Sequence, residues 1–368
     1  MTKVQQSVLE INLQSLEKNF FHIKSLLSKK TTKLMAVVKA NGYGSDALII
    51  SKKLQELGID YFAVAYASEG VILRKAGIIT PILVLLPQAS SAEKIVKFDL
   101  EPSLYSFSVL KKFLEFLKEN GLKKYPIHVK LNTGLNRVGF GLDDLPDVIS
   151  KILKSSNIVV KSIYSHLAAS EEASEISFSK KQIELFNTMS SNIISKLEYA
   201  PMLHICNTSG LINFPEAHYD MVRSGIGLYG FSGSLKIKLS PVHRLKSVIS
   251  QIHIINKNES VGYNRSYFAN AKEKIAAIPI GHADGITRIF GNKKGFVFIN
   301  GEKAFIVGNV CMDVIMVDVS NIKCKEGDQV IIFDDVHTAE DLCSLAGTIS
   351  YELVSSISTN RIPRSIIE

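Results

Sequence analysis

Lys39 has the side chain with the clearest potential for covalent chemistry. It follows the apolar run Leu34–Val38 and precedes the glycine-rich segment Ala40–Gly44. A lysine held in a partly dehydrated pocket loses its charge readily and can form a Schiff base with an aldehyde. A later apolar run is followed by the glycines of 225–230, whose backbone N–H groups would be open to a phosphate. A phosphate site opposite a Schiff-base lysine predicts pyridoxal phosphate as the cofactor.

Eight short apolar runs between residues 34 and 223 alternate with amphipathic segments of helical length. The runs predicted as strands are 34–38, 61–65, 81–85, 101–105, 126–131, 158–165, 202–205 and 220–223. Eight strand–helix repeats over roughly two hundred residues are typical of a (β/α)8 TIM barrel, and a doubly wound open sheet is the alternative. We therefore predict an α/β protein with an N-terminal barrel over residues 10–234.

A barrel gathers the residues that follow its strands at one end, where active sites form. Lys39 follows the first predicted strand, His166 the sixth and Thr208 the seventh, while Arg223 closes the eighth. Arg137 lies in a glycine-flanked segment after the fifth strand. The predicted fold thus brings these polar side chains to a common site.

The pattern changes after about residue 234, where short strand-like runs follow one another without long helices. These runs are 248–255, 274–280, 295–299, 304–310, 315–319 and 329–333. Asn300-Gly301, between two apolar runs, predicts a tight hairpin, and a helix is expected at 338–345. We predict a mostly-β C-terminal domain over residues 235–368. The alternating run 8–13 predicts a further strand, so residues 1–9 are expected to join this domain.

Composition and charge exclude several other classes of protein. The 368 residues include 43 Lys and Arg against 35 Asp and Glu, a net charge of +8, but no basic run is interleaved with aromatic residues. We therefore predict no nucleic-acid partner. No stretch approaches the ~20 apolar residues of a membrane span, and the four cysteines form no C-x-x-C pair, which fits a reducing compartment. We expect a cytoplasmic protein without a membrane partner, and the sparse pair His204 and Cys206 predicts no metal site.

Eleven short motifs, spread in order over nearly the whole chain, form a larger pattern. They are Glu10–Leu13, Ala36–Gly44, Leu131–Phe140, Tyr164–His166, His204–Ser209, Met221–Gly230, Gly262–Tyr263, Ala283–Gly285, Val310–Asp313, Gly347–Tyr351 and Arg361–Arg364. Together they resemble the bacterial alanine racemases, which are pyridoxal-phosphate enzymes with an N-terminal (β/α)8 barrel and a C-terminal β domain. Each motif alone is short, but their number and order are specific.

The resemblance implies catalytic roles for the matching residues. Lys39 would bind the cofactor covalently and serve as one acid/base group. Tyr263 would be the other, reaching in from the partner subunit of a homodimer. Racemisation removes the α-proton from one face and returns a proton to the other, which requires two such groups on opposite faces. Arg137 and the backbone of Met312 would bind the carboxylate of the small-molecule substrate, alanine.

The same resemblance places the cofactor. Arg223 would donate a hydrogen bond to the pyridine nitrogen without surrendering its proton, which weakens the ring as an electron sink and limits transamination. His166 would lie beside the ring, and linked to Arg223 it would stabilise the phenolate of Tyr263, whose ordinary pKa is near ~10. The phosphate would lie among Tyr43, Thr208, Gly225, Ile226 and Tyr351.

Lys130 is expected on an inner face of the barrel. Alternation along the fifth predicted strand puts His128 and Lys130 on one face, opposite a face of apolar residues. A second uncompensated cation near Arg137 would be repelled. The resemblance implies that Lys130 is carbamylated, which makes it an anion that orients the guanidinium.

The implied activity is the interconversion of L- and D-alanine, supplying D-alanine for cell-wall peptidoglycan. Three positions depart from the family pattern: Ser45 stands where a histidine is common, His282 where a tyrosine is usual, and Asn309 where an arginine is usual. They leave the substrate preference open, so a racemase of serine or of broad specificity is the first alternative. A non-catalytic pyridoxal-phosphate carrier is the alternative of another class. It resembles the barrel alone, and residues 235–368 argue against it.

Overall fold

The structure, a computed structural model, describes residues 7–232 and 237–367. It begins with strand β1 (Val8–Asn12) and helix α1 (Leu13–Ser25), and eight parallel strands follow. These strands are β2 (Lys33–Val37), β3 (Tyr61–Val64), β4 (Ile82–Val84), β5 (Glu101–Leu104), β6 (Tyr125–Lys130), β7 (Ile158–Tyr164), β8 (Met202–His204) and β9 (Met221–Ser224).

The parallel strands close into a barrel. Neighbours pair in chain order from β2 to β8, and β9 pairs with β2. Two backbone hydrogen bonds join β8 to β9, from Asp220 N to the Leu203 carbonyl and from Arg223 N to the Cys206 carbonyl, each 3.1 Å long. The predicted (β/α)8 barrel is therefore confirmed. The open-sheet alternative is wrong, because both strands that would form its edges have partners.

Amphipathic helices surround the barrel. They are α3 (Ala47–Glu56), α4 (Ala67–Lys75), α5 (Ala92–Lys97), α6 (Phe107–Glu119), α7 (Leu145–Leu153), α8 (Ile176–Ile194) and α9 (Thr208–Asn213). The short segment α2 (Lys39–Tyr43) follows β2 and is a left-handed turn, not an α-helix. In α6 the Ser106 side chain accepts from Val109 N and caps the first turn, and Val109, Phe113 and Leu117 recur at helical spacing and are buried. Among the residues that the structure describes, no helix combines the length and apolar character needed to cross a bilayer.

The second part of the chain is mostly β structure, as predicted. Its elements are β10 (His243–Val248), β11 (Gln251–Ile255), β12 (Ser260–Val261), β13 (Tyr267–Phe268), β14 (Glu273–Ile278), β15 (Phe296–Ile299), β16 (Glu302–Phe305), β17 (Ile315–Asp318), β18 (Gln329–Phe333), α10 (Ala339–Ala346), α11 (Ser350–Ser356) and β19 (Arg364–Ile367). A six-stranded sheet has the order β16-β15-β18-β10-β1-β19, and a three-stranded sheet has the order β11-β14-β17.

The first strand of the chain lies in the six-stranded sheet. β1 is antiparallel to β10 and parallel to β19. Residues 1–6 lie outside the described residues, and so does the predicted boundary between residues 234 and 235. The domain limits therefore stay a prediction.

Two strand predictions in this part had different outcomes. The strand predicted over 248–255 is confirmed only for 251–255, which form β11. Val248 ends β10, Ile249 and Ser250 belong to no strand, and β10 and β11 lie in different sheets. The hairpin at Asn300-Gly301 is confirmed. It joins β15 to β16 with φ values of 53° and 84° at its two residues, the left-handed conformation that a type I′ turn requires.

The second domain contacts and stabilises the segment that follows β2. The guanidinium of Arg364, in β19, donates to the carbonyls of Gly44 at 2.7 Å and Ser45 at 3.2 Å. It also donates to three carbonyls of residues 357–362. Gly44 has a φ of +80°, and a Cβ added there would overlap the Val354 carbonyl oxygen of α11. The turn that contains Lys39 is therefore held from outside the barrel.

Gly44→Ala should destabilise the protein far more than Gly58→Ala. Both glycines have nearly the same backbone, with φ values of +80° and +79°, but a Cβ on Gly58 meets nothing within 4 Å. The left-handed backbone costs alanine about 1 kcal/mol at either site. The overlap at Gly44 should bring the loss of unfolding free energy to about 2–5 kcal/mol. Chemical denaturation of both variants measures the difference, and equal losses would contradict the contact between the domains.

Candidate active site

A cavity of about 400 Å³ opens at the carboxyl ends of the barrel strands. Its polar lining residues each follow or end a strand: Lys39 after β2, Lys130 at the end of β6, His166 after β7 and Thr208 after β8. The other predicted site residues on its wall are Tyr43, Arg137, Arg223, Gly225, Ile226 and Tyr351. The structure thus brings together every site residue predicted on the barrel, and Tyr351 reaches the same cavity from α11.

The charged side chains that line this cavity are all basic. Among the residues that the structure describes, Lys39, Lys130, Arg137 and Arg223 line it, and no carboxylate does. Burial, then the charges of Arg223 and Arg137, holds the pKa of Lys130 well below its ordinary value. Burial and Arg137 likewise lower the pKa of Lys39, with Glu69 acting in the opposite direction. The cavity is therefore suited to anionic ligands, and its lysines are suited to react as neutral amines.

Lys39 begins a left-handed turn. Ala40, Asn41 and Tyr43 have φ values of 52°, 52° and 54°, a conformation that costs non-glycine residues about 1–2 kcal/mol each. Hydrogen bonds maintain it: Ala40 N donates to Glu69 Oε1 at 2.7 Å, and Asn41 Oδ1 accepts from Ala47 N at 3.0 Å. The turn places Tyr43 in the core, 4.9 Å from the ring of Tyr229.

Arg223 is almost completely buried and makes four hydrogen bonds. It donates to the carbonyls of Ser165 at 2.7 Å and Ile205 at 3.0 Å, and to Nδ1 of His204 at 2.7 Å and of His166 at 3.0 Å. A guanidinium only donates, so each histidine accepts at Nδ1. Burial and then the charge of Arg223 hold the pKa of both histidines well below the ordinary value. Each is therefore neutral and carries its proton on Nε2.

The opposite end of the cavity presents free donors. The backbone N–H groups of Gly225 and Ile226 donate to no other residue within the described ranges. A Cβ on Gly225 would overlap the Tyr43 hydroxyl, so only glycine allows this approach. Burial raises the pKa of Tyr351 to about 12 and that of Tyr43 further. Both phenols stay protonated and can donate to an anion.

Tyr263 and Met312 do not reach this cavity in their own chain. Their exposed fractions are 70% and 57%, and neither lines the cavity. They share one surface of the second domain, where the Asn309 amide donates to the Tyr263 carbonyl at 3.1 Å. Arg361 fixes the adjoining loop by binding Asp313 at 2.5 Å and Asp284 at 2.7 Å. The chain therefore forms the cavity and presents these two residues elsewhere on its surface.

Sequence reasoning assigned no role to two residues that shape the site. Tyr164 lines the cavity, and its ring centre lies 4.6 Å from Lys130 Nζ. The sequence could have indicated Tyr164. It belongs to the motif Tyr164–His166, and it lies two residues after Ser162, on the same face of β7. Glu69 anchors the left-handed turn from α4. No local pattern marks it, since the contact depends on the packing of α4 beside the turn.

The fold and the cavity together define a (β/α)8 barrel protein with a mostly-β second part and a cavity suited to an anionic ligand at the carboxyl ends of the barrel strands. Residues 11–233 match the family described as Alanine racemase, N-terminal domain, and residues 242–366 match Alanine racemase, C-terminal domain. The chain belongs to the alanine racemase family, and alanine racemases are isomerases.

Individual relatives match over nearly their full length. The alanine racemase of Clostridium kluyveri is 35% identical, covering 98% of this chain and 93% of its own. Alanine racemase 2 of Bacillus subtilis is 36% identical, covering 98% and 94%. The crystal structure of the Bartonella henselae alanine racemase with covalently bound pyridoxal phosphate has a TM-score of 0.89 at 28% identity, covering 98% of this chain and 99% of that one.

Lowering the pH from 7 to 5 should destabilise the protein through its buried neutral histidines. Burial, with Arg364, lowers the pKa of His243 to about 3. Below pH ~6.5 the unfolded chain binds protons that the folded state excludes, so stability falls as pH falls. One such histidine accounts for about 2 kcal/mol over this interval.

His243→Asn should therefore reduce the pH dependence of the unfolding free energy by about 2 kcal/mol. Denaturant titrations at pH 7 and pH 5 measure it. His253, exposed on β11, provides the matched control, since His253→Asn should change the pH dependence much less. An unchanged pH dependence in His243→Asn would contradict the neutral state of this histidine.

Proposed function

We propose that the protein interconverts L- and D-alanine in a site where Lys39 holds pyridoxal phosphate covalently. The observation on which this rests is the cavity with four cationic side chains, no carboxylate, and a lysine of lowered pKa after the first barrel strand. When bound, pyridoxal phosphate supplies an electron-withdrawing ring that stabilises the negative charge left when Cα loses its proton. The Bartonella henselae relative carries this cofactor covalently.

The chain's residues fit the two ends of such a cofactor. The free amides of Gly225 and Ile226, with the hydroxyls of Tyr43, Thr208 and Tyr351, would hold the phosphate. These groups are neutral donors, which bind a phosphate well when several converge.

Arg223 is suited to donate a hydrogen bond to the pyridine nitrogen of the cofactor. Its Nε–H donates to none of the described residues, whereas its terminal nitrogens are engaged with His166, His204 and two carbonyls. A fixed guanidinium donates a hydrogen bond and keeps its own proton. Arg223 would thereby leave the ring nitrogen of a bound cofactor unprotonated, which would favour return of the proton to Cα over transamination.

Two groups would move the proton on opposite faces of the substrate. Burial and Arg137 lower the pKa of Lys39, which makes its free amine an effective base near neutral pH. Tyr263 would act on the other face from the partner subunit. His166 accepts from Arg223 at Nδ1, so its Nε2–H is available to donate to the Tyr263 phenolate and stabilise it.

We further propose that the D-alanine supplies cell-wall peptidoglycan and that the enzyme acts in the cytoplasm as a homodimer. Preference for serine or broad specificity remains the competing proposal, because Ser45, His282 and Asn309 depart from the pattern that the resemblance implies. Of these, Asn309 donates to the Tyr263 carbonyl at 3.1 Å. A non-catalytic carrier is disfavoured, since residues 242–366 match the C-terminal domain of the racemases.

Lys39→Ala should abolish both cofactor attachment and racemisation. Borohydride treatment of the wild type should leave a pyridoxyl group on Lys39, detected by peptide mass spectrometry. Loss of an acid/base group typically costs about 10²–10⁴-fold in rate. A chiral assay with alanine, serine, lysine and arginine ranks the substrates. Labelling of a different lysine would refute the cofactor assignment, and faster turnover of serine would replace alanine as the substrate.

Lys130 should carry a carbamate. Its depressed pKa supplies the neutral amine, whose nitrogen forms a bond to the carbon of CO₂ and releases a proton. Protein equilibrated with ¹³C-bicarbonate should show a carbamate carbon resonance that disappears in Lys130→Met. Lys161, exposed on β7, is the matched control, and Lys161→Met should retain the signal. A wild-type spectrum without this resonance would mean that Lys130 is unmodified.

Each active site should be shared between two chains. Lys39→Ala and Tyr263→Phe should each be nearly inactive, but a mixed dimer has one site with both changes and one with neither. Random pairing makes about half of the dimers mixed, so about a quarter of all sites should regain wild-type activity if catalysis needs both groups. Refolding the variants together and assaying racemisation measures this. No recovery in demonstrably mixed dimers would show that Tyr263 serves its own chain.

A further inference from the structure

A chain of hydrogen bonds crosses the barrel interior from Arg223 to Glu101. Arg223 Nη1 lies 2.7 Å from His204 Nδ1, and His204 Nε2 lies 2.9 Å from Ser162 Oγ. Ser162 Oγ lies 2.6 Å from His128 Nδ1, and His128 Nε2 lies 2.7 Å from Glu101 Oε2. Each of the five consecutive strands β5 to β9 contributes one of these residues.

The hydrogen bonds along this chain are all donated in one direction, from Arg223 toward Glu101. Arg223 donates to His204, whose single proton is therefore on Nε2 and is donated to Ser162. The only other hydrogen-bond partner of the Ser162 hydroxyl among the described residues is His128 Nδ1, which must then accept. The proton of His128 is left on Nε2, from which it is donated to Glu101. A cation and a carboxylate thus terminate a chain of neutral groups.

Arg223 has no carboxylate among its hydrogen-bond partners within the described residues. Its four acceptors are two histidine nitrogens and two carbonyl oxygens. Arg223, His204, Ser162 and His128 are all at most 3% exposed, so water does not compensate the guanidinium. The Glu101 side chain is 12% exposed. Burial raises the pKa of Glu101, but His128 and Lys161 outweigh it and lower the pKa, so the group is ionised.

We propose that Glu101 is a positioning residue that balances the charge of Arg223 through His128, Ser162 and His204. By polarising the chain it strengthens the acceptor at His204 Nδ1 and fixes the guanidinium in an orientation that would face the ring of a bound cofactor. Hydrogen bonds in a chain of low dielectric polarise one another in this way. The part of the proposal that concerns the ring rests on the proposed function.

Glu101→Gln tests the charge while keeping an acceptor for His128. In the holoenzyme we expect kcat to fall about 3- to 30-fold, with KM changed by less than about threefold, because Arg223 does not bind the substrate. The absorption spectrum of the bound cofactor should shift as well. Glu10→Gln is the matched control, because Glu10 is 17% exposed and binds Lys246 at 2.7 Å in the other domain. An unchanged kcat and spectrum in folded Glu101→Gln would overturn the proposal.

A second variant tests whether the effect travels through the chain. Ser162→Ala removes the hydroxyl that links His204 to His128. It should reproduce the loss in kcat and the spectral shift, even if Glu101→Gln does not fold. The double variant should be no worse than the more severe single one, since both interrupt the same connection. Ser247→Ala, which removes a buried hydroxyl bonded to Ser7, should instead combine multiplicatively with Glu101→Gln. Multiplicative losses for Ser162→Ala with Glu101→Gln would overturn the proposal.

The tautomers can be measured without cofactor or activity. Nitrogen-15 NMR of the apoprotein should show His204 and His128 neutral and protonated on Nε2. A charged ring or the opposite tautomer at either residue would overturn the direction of the chain. Absence of racemisation in the wild type would refute the proposed function instead, because this spectrum would be unaffected by it.

Discussion

Positive charge buried without adjacent negative charge is the constraint on which the site depends. Taking an ion out of water costs several kcal/mol unless other groups replace the hydration. For Arg223, hydrogen bonds to two carbonyls and two histidine nitrogens replace part of the lost hydration. For Lys130, the ring face of Tyr164 does so. Lys39, which is half-buried, and Arg137, which is exposed, also line the cavity. Together the four basic side chains favour an anion in the cavity, which suits a phosphate and a carboxylate.

The second constraint is the backbone after β2. Five consecutive residues, Ala40–Gly44, have positive φ, and an isolated segment of this composition would not hold that conformation. Glu69 fixes it from within the barrel domain, while Arg364 and α11 fix it from the second domain. The C-terminal part of a chain thus stabilises the lysine turn of its own barrel. Its Tyr263 is exposed and does not line the cavity of that barrel.

The barrel could be predicted from the sequence because parallel strands with both faces covered produce a regular alternation of apolar runs and amphipathic helices. The residues at the strand ends followed from the same regularity. The break between β10 and β11 could not be predicted, since Ile249 and Ser250 have no turn signature and the bend arises from sheet packing. The sequence could not predict the roles of Glu69, Arg364 and Glu101 either. Their partners are distant in sequence, and only barrel closure and domain packing set those distances. Tyr263 was singled out by family resemblance alone.

The position of β1 between β10 and β19 has a consequence for synthesis. β1 leaves the ribosome long before either strand that flanks it, because β10 begins at residue 243 and β19 at residue 364. At about 5–20 residues per second, the first strand waits tens of seconds for β19. All barrel strands are synthesised before then, but Arg364 can bind the Lys39 turn only after residue 364 has been added. A shorter chain therefore contains every barrel strand but lacks the Arg364 contacts that hold its lysine turn.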